Sequence, residues 1–112
     1  MFKVFGYIPK RTDLDSEQFR TYYETNHVPL VLSKTPAPLV YKRNYVTRGD
    51  EYNLSDAAIT FDVVTELAFT SREGFQRWLR DLDDDEVAAD ESNFMDRSGI
   101  SISVIDERMS FG

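Results

Sequence analysis

His27 is the only histidine in the sequence, and its side chain is the one whose unperturbed pKa, roughly 6.5, lies near neutrality. Such a group takes and returns a proton at working pH without a large environmental push. It closes an aromatic run, Phe19, Tyr22, Tyr23 and His27, at helical spacing just before Pro29, a position that points to the rim of a layer. The plain alternative is a hydrogen-bonded packing histidine. Asp62 and Glu66 lie four residues apart in a β-rich stretch and share a side with Val64. Acids in such a mixed apolar setting can orient a histidine or move protons, whereas on an uncovered face both are simply solvated. Tyr7, Tyr22, Tyr23, Tyr41 and Tyr45 bring aromatic faces with spaced hydroxyls. These suit a planar or cyclic, weakly polar small molecule, and they also serve as ordinary core residues.

Other chemistries find no support. There is no cysteine, which removes disulfides, thiolate metal sites and cysteine nucleophiles together. With one histidine and no cysteine, no transition metal is expected. Asp81, Asp83 and Asp85 alternate as calcium ligands do, but Glu86 stands where the turn glycine belongs and Ser92 where the bidentate glutamate belongs. No nucleophile-elbow motif and no glycine-rich phosphate loop occurs. A net charge of −7 argues against nucleic acid, which demands a basic stripe. No run of about 18 apolar residues is present, so no membrane span is expected. Met1 to Lys10 lacks the basic start and long apolar stretch of a secretory leader, and a cytoplasmic location is expected.

The elements that must position these residues read in order. Phe2 to Ile8 is a β-rich run ending at Pro9, with large apolar residues on both alternating sets, so it needs cover on both faces. Asp15 and Gln18 form a capping box that opens a helix, and Pro29 predicts its end or kink near His27, with a further turn at Leu30 to Lys34. Leu39 to Thr47 reads as a second strand, and Arg48 to Ala57 as a polar loop. Ile59 to Phe69 reads as a third strand, with Ile59, Phe61, Val63, Leu67 and Phe69 on one side. Thr70 and Glu73 suggest a second capping box before Phe75, Trp78, Leu79 and Leu82 at helical spacing. The acid run Asp83 to Glu86 breaks that pattern, a shorter helical piece covers Val87 to Met95, and Gly99 to Asp106 alternates as a fourth strand.

The order β-α-β-β-α-β over residues 1–112 predicts one α+β domain, the ferredoxin-like split βαβ arrangement, with a four-stranded antiparallel sheet and both helices on one face. Phe5 or Tyr7, Val64 and Ile105 then lie on the other face, too apolar to leave in water. Two copies meeting sheet to sheet, as a dimeric α+β barrel, would cover it, as would the tail from Glu107 to Gly112.

Several stretches in family order resemble the EthD-domain proteins of the dimeric α+β barrel group. They are Lys10-Arg11, Ser16-x-x-Phe19-x-x-Tyr22-Tyr23-x-x-x-His27-x-Pro29-Leu30, Tyr41-x-x-Asn44, Asp62-x-x-x-Glu66-x-x-Phe69 and Ala89-Asp90-Glu91-x-x-Phe94. The resemblance implies a homodimer with a pocket between helices and sheet in each subunit, and it makes His27 the leading catalytic candidate. It also implies cofactor-independent proton transfer on a small cyclic or polyketide-like carbonyl compound, of lyase, isomerase or cyclase type. In that scheme His27 is the base or acid, Asp62 or Glu66 orients it, and Tyr22, Tyr23 or Tyr41 donates to the enolate oxygen, with Tyr7 and Asn44 as further substrate-binding candidates. A cofactor-free monooxygenase of an aromatic compound and a non-catalytic binding dimer that assists an oxygenase are the alternatives. The acid-rich stretch Asp81 to Glu86 departs from the family pattern.

Overall fold

The computed structural model describes Met1–Gly112. Strands β1 (Phe2–Ile8), β2 (Val40–Tyr45), β3 (Val63–Phe69) and β4 (Ser101–Ile105) form one sheet. Its order is β2-β3-β1-β4 and every pairing is antiparallel. Between the strands run α1 (Ser16–Tyr22), a π turn (Tyr23–His27) and α2 (Val28–Lys34), then α3 (Arg72–Asp81) and α4 (Asp85–Ser92). This is the βαββαβ arrangement expected from the sequence.

Local chemistry explains the helix boundaries. Asp15 accepts from the Gln18 backbone N–H, and the Gln18 side chain accepts from the Asp15 N–H, so the first capping box forms as read. Pro29 does not end the helix. The chain passes through one π turn, in which the Val28 N–H reaches the Tyr23 carbonyl, and Pro29 then falls in the first turn of α2, where a missing N–H costs nothing. The second capping box does not form. Ser71, not Thr70, precedes the helix, and no side chain caps it. The acid run proves to be a helix start, with the Asp84 carboxylate accepting from the Val87 N–H and also meeting Lys34.

The third strand is shorter than its sequence pattern. Arg48 donates to the carbonyls of Asp56 and Phe61 and to the Asp62 carboxylate. These bonds hold residues 56–62 in a turn and an irregular approach, so the ladder begins at Val63. Phe61 consequently leaves its expected side and packs on Tyr7, ring centroids 5.2 Å apart.

The helices cover one face of the sheet through two core clusters. Ile8, Phe19, Tyr23, Val63, Phe94 and Met95 form the first, and Val4, Val31, Leu67, Phe69 and Trp78 the second. On the opposite face Phe5, Tyr7, Val64 and Ile105 are only partly buried. Glu107 reaches Lys3 from the tail at 2.7 Å, but beyond it Met109 and Phe111 stand in solvent, so the tail does not cover that face.

Candidate functional site

Between the two core clusters lies a cavity of about 130 Å³. Its floor follows from the sheet register. Gly6 stands between Val4 and Ile8 on the helix-facing side of β1 and pairs with Thr65 on β3. An absent side chain beside a small one leaves space that Leu or Phe would fill. Val31, Phe75, Trp78 and Leu82 close it from the helices, and Tyr23, Tyr41, His27 and Glu91 bring its polar groups.

His27 is buried, with 4% of its surface exposed. Its ring lies 5.0 Å from Phe94 and 5.3 Å from Tyr23, centroid to centroid. Nδ1 is 2.8 Å from Asp90 Oδ2, and the other Asp90 oxygen accepts from the Tyr22 hydroxyl at 2.7 Å. Asn93 in turn donates to the Tyr22 oxygen at 2.9 Å. A carboxylate can only accept, so the neutral imidazole carries its proton on Nδ1 and keeps the lone pair on Nε2. The ring is fixed by packing against Tyr23 and Phe94 and by Asp90 at one nitrogen. That leaves Nε2 as the free basic atom of a residue lining the cavity.

Position in the helix makes this possible. The π turn spans Tyr23 to His27 and packs against α4, which carries both Asp90 and Glu91. Inserted turns of this kind recur where a helix must re-aim side chains. Glu91 lines the cavity directly, its side chain 26% exposed and its Oε1 3.3 Å from Arg97 Nε. Burial pushes its carboxyl above the usual glutamate range, against the pull of His27 and Arg97.

A second polar layer supports the tyrosines. Glu24 accepts two bonds from Arg43, at 2.6 and 3.0 Å, and another from the Tyr45 hydroxyl. Arg43 beside it holds the Glu24 carboxyl below its usual range. Arg43 also lies over the Tyr41 ring, 4.8 Å from its centroid. The Tyr23 hydroxyl bonds Thr65 at 2.7 Å, and burial pushes its pKa up to about 12. Tyr41 is pushed higher still, again chiefly by burial.

The candidate residues therefore separate. His27, Tyr23 and Tyr41 meet at the cavity, while Tyr22 sits behind it and holds Asp90. Tyr7 lies on the opposite sheet face against Phe61, and Asn44 lies there too, exposed and donating to the Val64 carbonyl. Asp62 and Glu66 do not approach His27. Because Val63, Thr65 and Leu67 turn toward the helices, strand alternation sends Glu66 to the other side, while Asp62 lies in the irregular approach just before the strand. There Asp62 takes the Lys10 N–H and Arg48, and Glu66 pairs with Lys3 at 3.0 Å. The acid that orients His27 is Asp90. Its only sequence signal was the Asp90-Glu91-x-x-Phe94 step, set in an acid-rich region that masked any role. No group of three or more His, Asp or Glu side chains converges to hold a metal.

Fold and cavity together define a ferredoxin-like α+β protein with a histidine–carboxylate pair buried beside an apolar cavity. Residues 11–98 match the EthD domain, and the chain belongs to the EthD domain family. It is similar to the crystal structure of an ethyl tert-butyl ether D (EthD) family protein from Bacillus halodurans C-125, with a TM-score of 0.62 and 19% identity over 96% of this chain and 100% of that one. At that identity the likeness concerns the fold. No curated protein matches the chain.

Proposed function

We propose that the protein is an enzyme of cofactor-independent proton transfer, acting on a small, uncharged cyclic carbonyl compound of polyketide-like character. The observation that carries this reading is the His27–Asp90 pair at 2.8 Å beside a cavity lined mostly by apolar side chains. A base in such surroundings removes a proton next to a carbonyl without competition from bulk water. Asp90 holds the tautomer and balances the imidazolium that forms. Lyase, isomerase and cyclase outcomes share this step and differ in which bond changes afterwards. The cavity's scarcity of cationic groups favours an uncharged ligand over a carboxylate or phosphate. We further propose a homodimer, in which a second copy covers Phe5, Tyr7, Val64 and Ile105.

The probe is 2-tetralone, a fused bicyclic ketone, incubated with the protein in D₂O while proton NMR follows loss of its α-proton signals. Wild type should accelerate exchange, and His27→Gln should reduce the enzymatic rate about 10²–10⁴-fold, the usual worth of a general base. Equal rates in a folded His27→Gln variant would contradict the assignment. Saturable binding of the ketone without any exchange would favour a binding protein.

A further inference from the structure

On the reading of His27 as the carbon-side base, an enolising site also needs a group at the oxygen. We propose that Glu91 is that group, donating its carboxyl proton to the substrate's carbonyl oxygen while His27 Nε2 takes the proton from the neighbouring carbon.

The geometry separates the two adjacent acids of α4. Asp90 turns to His27 Nδ1 and Tyr22, with both oxygens engaged, whereas Glu91 lines the cavity and meets only Arg97 at its edge. The hydroxyls that could compete are committed or reluctant. Tyr22 donates to Asp90 and Tyr23 is bonded to Thr65. Burial also makes Tyr23 and Tyr41 poorer proton donors.

The charges facing Glu91 are His27 from the π turn, Arg97 from the 3₁₀ turn Arg97–Gly99, and Asp90 from its own helix. Glu91 also sits in the last turn of α4, where the helix dipole opposes a negative charge. Burial and the dipole thus tighten the Glu91 carboxyl's hold on its proton, against the pull of Arg97. A positive charge on His27 draws the Glu91 carboxyl back down, so proton uptake at His27 readies Glu91 to release its own.

The step balances. The C–H bond breaks and its electron pair becomes the C=C bond. The carbonyl π pair takes the Glu91 proton to form the enol O–H, and the carbon's proton ends on Nε2. Imidazolium and glutamate are left facing each other, and reversal restores both groups.

Two measurements test this. The first is 2-tetralone exchange by Glu91→Gln, which keeps the side chain's shape and removes the transferable proton. A 10²–10⁴-fold loss of exchange is expected, with a melting temperature close to wild type, because the amide keeps the size and hydrogen-bonding reach of the carboxyl. The second is the carbon-13 carboxyl resonance of Glu91 in the wild-type protein, followed against pH. It should titrate above the ordinary glutamate value of roughly 4.3 and show a second inflection as His27 titrates. Glu91→Gln retaining more than about a tenth of wild-type exchange, well short of a general acid's usual worth, overturns the proposal. So does an ordinary titration with no inflection from His27. Absence of any wild-type exchange removes the carbonyl reading above, and the carboxyl titration then decides separately whether Glu91 is an acid coupled to His27.

Discussion

At the scale of single residues, His27 owes its special character to what surrounds it. One histidine, two aromatic rings and one carboxylate make a fixed imidazole with one nitrogen spoken for and one free. Asp90 and Glu91 show how two acids adjacent in sequence acquire different tasks. One is fully hydrogen-bonded and the other stands in an apolar cavity. Glu24 is a third case, an acid whose value is structural. Arg43 and the Tyr45 hydroxyl stabilise its charged form, so its folded pKa lies below the unfolded one. The stability it contributes is therefore fully present above the ordinary glutamate range and is lost as pH falls through the depressed folded value. Glu24→Gln should lower stability at pH 7 by roughly 1–2 kcal/mol, scaled down for its partial exposure. The gap between variant and wild type should narrow as the pH is lowered from 7 to below the ordinary glutamate range. Denaturant titrations at both pH values check this, and a gap that persists at low pH would show that packing, not charge, is what the substitution removed.

At the scale of elements, the hydrophobic periods carried most of the information. A β-rich run ending at Pro9 placed β1, two-residue alternation placed β2 and β4 to within a residue or two, and aromatic spacing placed α1 and α3. The misses fall where the backbone takes a different local course from the one the pattern suggests. Pro29 marks a helix end or kink near His27 by local rules, and there the helix passes through a π turn before running on to Lys34. The run from Ile59 looks like strand, yet Arg48 holds the Phe61 carbonyl and the Asp62 carboxylate just before the ladder begins. Thr70 and Glu73 have the capping spacing, but the helix starts one residue later. The candidate site was less legible than the fold. His27, Tyr23 and Tyr41 could be found because uniqueness and helical or strand period place them. Asp90 and Glu91 could not, because only tertiary packing of α4 against the π turn separates them from their acidic neighbours. Gly6 did carry a usable signal, since a glycine inside a strand often marks room left for something else.

At the scale of the whole molecule, the helix face of the sheet holds the cavity and is covered except at Ile102 and Val104 of the edge strand, while the other face is apolar and only partly buried at Phe5, Tyr7, Val64 and Ile105. Burying that face against a second copy has a clear physical motive, because contiguous apolar patches of this kind are seldom left in water. Light scattering at micromolar concentration should return close to twice 13.0 kDa. Val64→Lys, which sets a charge at the centre of the bare face, should give a folded monomer. A wild-type monomer, or a dimer indifferent to Val64→Lys, would contradict this arrangement. The central claim concerns His27, and the molecule makes it unusually accessible, because a uniformly nitrogen-15-labelled sample contains a single imidazole. Long-range nitrogen–proton correlation at a pH where that ring is neutral reports its tautomer. The Asp90 contact predicts a protonated Nδ1 and an unprotonated Nε2. A proton found on Nε2 instead would leave no base there and would contradict the account.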